Sequence, residues 1–213
     1  MNAARAELRK LLTLPSMRRT ALLTWAATVL LTYAYASAES HGDRLGDNAA
    51  LGPLGYTQAG FLVLGVLAAT SEHQEGDQIR TTLLAMPRRL PLQAAKALAL
   101  AALTLPVAAA TAATSTLPAD GAGWTPAATG YLTLTTLLAA AVGSIVRSAV
   151  SAAILLLGLY FVAGPLLRAG STASAAYLPD TAALDPSHGA AATIAWTFAA
   201  LTVAALTFRR RDA

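Results

Sequence analysis

The sequence predicts an all-α membrane protein. It is expected to have six transmembrane helices with both termini cytoplasmic, an N-terminal amphipathic helix at the membrane interface, and a short cytoplasmic helix between spans 2 and 3. Three observations carry this prediction. Hydrophobic residues make up 55% of the 213 residues and charged residues 12%, against roughly 45–50% and about 25% in soluble domains. Such a chain would leave too much apolar surface in water, so the bilayer is its expected solvent. Six apolar runs are long enough to span a membrane, at about 20 residues each. Finally, the basic residues alternate between loops. Thirteen of the fifteen Lys and Arg fall at the N-terminus, in the segment after span 2, at Arg147 and at the C-terminus, while only Arg44 and Arg168 fall on the other side. Short loops rich in Lys and Arg stay in the cytoplasm, which sets the orientation.

Residues 3–14 place Ala4, Leu8, Leu11 and Leu12 on one helical face, with Arg5, Glu7, Arg9 and Lys10 around the rest. That is the pattern of a helix lying in the membrane interface. Pro15 should end it, and Ser16 should cap the next helix. Span 1 covers 20–37, behind Arg18 and Arg19. An Ala-Ser-Ala triplet at 36–38 has the form of a signal-peptide cleavage site, but the charged region ahead is a whole amphipathic helix, longer than such a leader carries. Span 1 is therefore expected to be retained.

Span 2 covers 54–70 and span 3 covers 92–113, where Pro106 should kink the helix and free a carbonyl. Spans 4, 5 and 6 cover 127–146, 149–167 and 190–208, with Arg147 marking the turn between spans 4 and 5 and Arg209, Arg210 and Arg211 closing the last. Tyr33, Tyr35, Tyr56, Trp124 and Tyr131 map near the outer span ends, as an aromatic belt would. The acids Glu39, Asp43, Asp47, Asp120, Asp180 and Asp185 fall in the outer loops, which fits this orientation. Residues 1–213 are expected to form one membrane domain, with no room for a second soluble domain of the usual ~100 to 150 residues.

One long charged segment lies between two spans. It covers 72–91 and reads E-H-Q-E-G-D-Q-I-R-T-T-L-L-A-M-P-R-R-L-P. Glu72, Glu75 and Asp77 would each cost a few kcal/mol in hydrocarbon, so the membrane boundary should fall near Ser71. Gly76 suits a helix end and Asp77 an N-cap. Ile79, Leu83 and Met86 then recur at i, i+4 and i+7 as an apolar stripe flanked by Arg80 and Arg88. Pro87 closes this short helix, and Pro91 fits the first turn of span 3. The residues alone leave two readings open. Arg80, Arg88, Arg89 and Lys96 can anchor to anionic lipid at ~1 kcal/mol each, or the segment can be a docking surface for a cytoplasmic protein.

Cysteine is absent, which rules out disulfides, thiolate nucleophiles and Cys-ligated metals. His41, Asp43, Asp47, Asp185 and His188 lie in separate loops without fixed spacing, so no metal site is expected, and no catalytic residue is assigned. A nucleotide-binding P-loop needs Gly-Lys, whereas the two lysines follow Arg9 and Ala95. Apart from Gln93 and Lys96, the polar residues of the spans are Thr, Ser and Gln58. That suits a hydrophobic or amphipathic substrate better than an ion.

The run Glu72, Gly76, Ile79-Arg80-Thr81-Thr82-Leu83, Pro87-Arg88-Arg89 and Lys96 resembles the permease subunits of type-2 ABC exporters. Actinobacterial members carry E-Y-x-x-G-x-I-R-T-T-L after span 2, then P-R-R and a lysine opening span 3. The opening A-R-A-E-L-R-K-L-L-T-L-P-S is similar to their amphipathic entry helix, and the R-R-R-D-A end also fits. Here His73 stands where an aromatic is usual, and one extra residue separates Glu72 from Arg80. The resemblance implies a half-transporter of the bacterial plasma membrane that pairs with a second permease copy or paralogue. It would dock a cytoplasmic ABC ATPase on its coupling helix through Glu72, Glu75, Gly76, Ile79, Arg80, Leu83, Pro87 and Arg88. Arg18, Arg19, Arg89, Lys96, Arg209, Arg210 and Arg211 would anchor it at the membrane interface. On this reading the chain is not itself an enzyme and binds no cofactor, since ATP and Mg belong to the partner ATPase. The lipid bilayer completes the expected partners, with no nucleic acid among them. Two alternatives come from other classes: a proton-coupled secondary carrier using Glu72 and His73, and a non-transporting membrane scaffold or immunity protein.

Overall fold

The computed structural model describes residues 3–41, 52–74, 89–116, 126–170, 177–180 and 189–211, and every regular element among them is helical. Helix α1 (Ala3–Thr13) leads through Leu14 into α2 (Pro15–Ser40), followed by α3 (Gly52–Gln74), α4 (Arg89–Thr116) and α5 (Pro126–Val146). Then come α6 (Ala149–Gly158), a π-helical turn (Leu159–Ala163), α7 (Gly164–Gly170) and α8 (Gly189–Arg211). The α6, π and α7 pieces are continuous, so six helices are long and apolar enough to cross a membrane. The protein is a multi-pass membrane protein. Most helices overrun the predicted spans by a few residues, because hydropathy marks only the part that lipid must cover while backbone hydrogen bonding carries a helix on into the interface.

Helices α3 and α5 form the centre, with 50% and 56% of their spans buried against 17% for α2 and α8. Along its length α5 packs on α3, α4 and α8, while α2 leans on α3 and α1 on α4. Gly65 lets α3 and α5 approach backbone to backbone, since a Cβ there would fall on the Thr136 carbonyl. Apolar clusters run through the bundle. One joins Leu62, Val66, Leu138 and Leu156, and another joins Leu64 and Leu100 to Leu11 and Met17. Leu22, Leu23, Leu30, Ile154, Leu166 and Phe198 are exposed. Such a surface needs lipid rather than water against it. The buried threonines Thr28, Thr57, Thr70, Thr104, Thr133, Thr136 and Thr197 donate their hydroxyls to carbonyls four residues earlier, at 2.7–2.9 Å. They satisfy themselves inside their own helices, which makes them tolerable in a membrane.

Two local expectations are corrected. Leu14, not Ser16, occupies the cap before α2, because the Arg18 N–H donates to the Leu14 carbonyl at 3.3 Å. Pro15 takes the first helical position, where a missing N–H is no loss. In α1, Leu11 is buried in the bundle core, whereas Leu12, assigned to the same face, is 50% exposed. The helix is thus held by α4 as well as by its own pattern. Helix α4 carries Pro106 within it, as expected. The Thr104 hydroxyl donates to the Leu100 and Ala101 carbonyls in the turn before the ring. Arg147 does mark a turn: its φ is +60°, a conformation few non-glycine residues adopt. Ser148 then caps α6 by accepting from the Ser151 N–H.

Candidate functional site

At one end of the bundle a cleft of about 310 Å³ opens between α1, the last turns of α3, α5 and α8, and the first turns of α4. That volume is at the lower end of the range for ligand pockets, ≈ 300–1,000 Å³. Its polar lining is Glu7, Lys10, Ser71, Gln93, Lys96, Ser144 and Arg147, and its apolar lining includes Leu11, Leu100, Leu137, Leu201 and Phe208. Local sequence explains the convergence. Glu7 and Lys10, and Gln93 and Lys96, are each three residues apart and therefore share a helix face. The positive φ of Arg147 ends α5 so abruptly that its side chain stays at the cleft, and Leu11 seats α1 against Leu100.

The predicted site residues fall around this cleft unevenly. Lys96 lines it, and so do Ser71 and Gln93, which flank the charged segment. Arg18 and Arg19 are exposed on the first turn of α2. Glu72 is in the last turn of α3, Arg89 opens α4, and Arg209, Arg210 and Arg211 close α8. The side chains of those five, together with Glu75, Gly76, Ile79, Arg80, Leu83, Pro87 and Arg88, lie outside the described residues. Lys10, Lys96 and Arg147, three of the basic residues assigned to one side by loop alternation, do meet at one end of the bundle.

The opposite end holds a polar centre that hydropathy and charge patterning did not reveal. Arg168 belongs to α7 rather than to a loop, and its Nη2 lies 2.9 Å from Oδ2 of Asp180, whose side chain is 4% exposed. Asp180 stays outside the spans as assigned, but its side chain is buried beside Arg168. The turn at 177–180 is tied to α8: Thr193 Oγ1 donates to the Pro179 carbonyl and Trp196 Nε1 to the Tyr177 carbonyl, both at 2.8 Å. Burial pushes the Asp180 carboxyl above its ordinary range, and the neighbouring Arg168 guanidinium opposes that without cancelling it. Gly164 makes the space, since a Cβ there would sit 2.6 Å from Oδ2 of Asp180.

Tyr160, in the π turn, is buried close to Asp180, and its hydroxyl has no hydrogen-bond partner among the described residues. The π turn has a cause in the sequence. Pro165 cannot donate, and its ring crowds the carbonyl four residues back, that of Phe161. Widening the helix there lets the Gly164 N–H reach the Leu159 carbonyl instead. A Pro inside span 5 was the available signal, and such π insertions often accompany function. Tyr131, expected in the aromatic belt, is instead buried and donates to Gln58 Oε1. Tyr33 and Tyr56 do face outward. Among the described residues, no group of three or more His, Asp or Glu comes together as metal ligands would. No protein-family model and no curated protein matches this chain.

Proposed function

We propose that this chain is the membrane-spanning permease subunit of an ATP-driven exporter in a bacterial plasma membrane. A separate cytoplasmic ATPase, with its ATP and Mg, docks on the segment 72–91, and a second permease copy or paralogue completes the transporter. The observation that supports this best is the position of the cleft. Ser71 and Gln93, the flanks of that segment, both line it, alongside Lys10, Lys96 and Arg147 from the basic side of the chain. A push on the segment would therefore move α3 and α4 directly at a ligand-sized opening. Closure of the ATPase tilts these two helices and opens the path outward. The substrate is hydrophobic or amphipathic, in keeping with spans whose polar residues are mostly Thr and Ser.

The test is purification of the tagged full chain from native membranes. A stoichiometric P-loop ATPase is expected to co-purify, and the double charge reversal Glu72→Arg/Arg80→Glu should uncouple its ATP hydrolysis from transport while the permease remains folded. Transport that survives both reversals removes the docking role.

A further inference from the structure

The cleft combines three features that select a ligand class. Among the described residues, three cations, Lys10, Lys96 and Arg147, line it together with one carboxylate, Glu7. Each of the four makes an interaction within the protein. Second, the charged lining is at the height where the bilayer ends: the spans stop or start at Ser71, Pro91, Val146 and Phe208. Third, the lining turns apolar with depth. Leu137 lies ten residues before Arg147 along α5, or roughly 15 Å at 1.5 Å per residue, and that is about half of a 30 Å hydrocarbon core.

We propose that this cleft is a binding site for an anionic phospholipid. Its phosphate sits among Lys10, Lys96 and Arg147, and one acyl chain runs down past Leu100, Leu137 and Leu201. A free anion would gain nothing from the apolar depth, and a zwitterionic lipid would bring its own ammonium group against a cationic rim. Lipid bound there would also hold α1, whose Glu7, Lys10 and Leu11 form one wall. The lipid site needs only the membrane-spanning bundle, not the ATPase, so either can fail without the other.

The experiment uses the purified full chain in detergent micelles, titrated separately with phosphatidylglycerol, phosphatidylcholine and inorganic phosphate, with binding read by thermal shift. Saturable stabilisation by phosphatidylglycerol alone is expected. Lys96→Gln/Arg147→Gln should weaken it about 25-fold, from ~5-fold for each cation near a headgroup. Arg5→Gln/Arg9→Gln makes the same charge change at exposed positions of α1 outside the cleft lining and should leave binding within about 3-fold, as screened surface charges do. Ala97→Leu keeps every charge but fills the cleft, and should also abolish the shift. Equal shifts from the two phospholipids, equal losses in the two double variants, phosphate acting as strongly as the lipid, or full binding by the filled variant would each overturn the proposal.

Discussion

Gly164→Ala adds one methyl group to α7 and is expected to destabilise the protein through a residue sixteen positions away. The new Cβ would lie 2.6 Å from Oδ2 of Asp180, so the carboxylate must leave the position in which it bonds Arg168 at 2.9 Å. A charge-assisted hydrogen bond of this kind contributes roughly 1.5–3 kcal/mol. Alanine in place of glycine inside a helix returns about 1 kcal/mol, so the net loss should be about 1–2 kcal/mol. In an Asp180→Ala background the carboxylate contacts are gone, and the Leu159 carbonyl at 3.3 Å needs only a small shift to admit the methyl. The same substitution should then be neutral or stabilising by up to ~1 kcal/mol. The two backgrounds thus differ in sign, with a coupling of roughly 2 kcal/mol or more. Reversible unfolding in mixed detergent–dodecyl sulfate micelles, followed by circular dichroism, measures all four proteins. Additivity within about 0.5 kcal/mol would refute the assignment of Gly164 as the space-maker for the buried pair.

Two further outcomes test the packing and the electrostatics. Gly65→Ala should cost about 1–3 kcal/mol by forcing α3 and α5 apart, because its Cβ meets the Thr136 backbone. Gly158→Ala meets nothing within 4 Å and should be neutral or gain up to ~1 kcal/mol, so equal effects in the same unfolding assay would contradict this packing. The pH dependence comes from the raised Asp180 carboxyl. Between its ordinary value of 3.8 and its raised value, the folded state holds the proton more than the unfolded state does. Its stabilising contribution is therefore complete below 3.8 and is lost as pH rises through the raised value. Relative to Asp180→Asn, the wild-type protein should lose stability as pH rises above 3.8, and a difference that stays constant with pH would exclude the burial of this carboxyl.

Much of the architecture is readable residue by residue. Six spans correspond to six apolar runs, Arg147 interrupts two of them where a turn does occur, and Lys10, Lys96 and Arg147 meet at one end of the bundle as their loop alternation implies. The misplaced residues share a different property. Leu12, Tyr131, Arg168 and Asp180 stand in the expected order along the chain, but each points somewhere that only its neighbours decide. Tyr131 turns inward because Gln58 on α3 accepts its hydroxyl, and Asp180 is drawn in because Gly164 leaves room beside Arg168.

The number, order and approximate depth of the helices are determined by the sequence alone, since a lipid-spanning segment must satisfy its backbone internally and be apolar over about 20 consecutive residues. Which face of each helix turns inward was decided only by the tertiary structure. In water an apolar stripe marks the buried side, but in a bilayer the lipid-facing side is as apolar as the core, and the periodicity that would orient a helix is largely erased. The close contact at Gly65, the buried pair at Arg168 and the cleft shared by five helices all depend on that rotation, and so they exist only in the packed bundle.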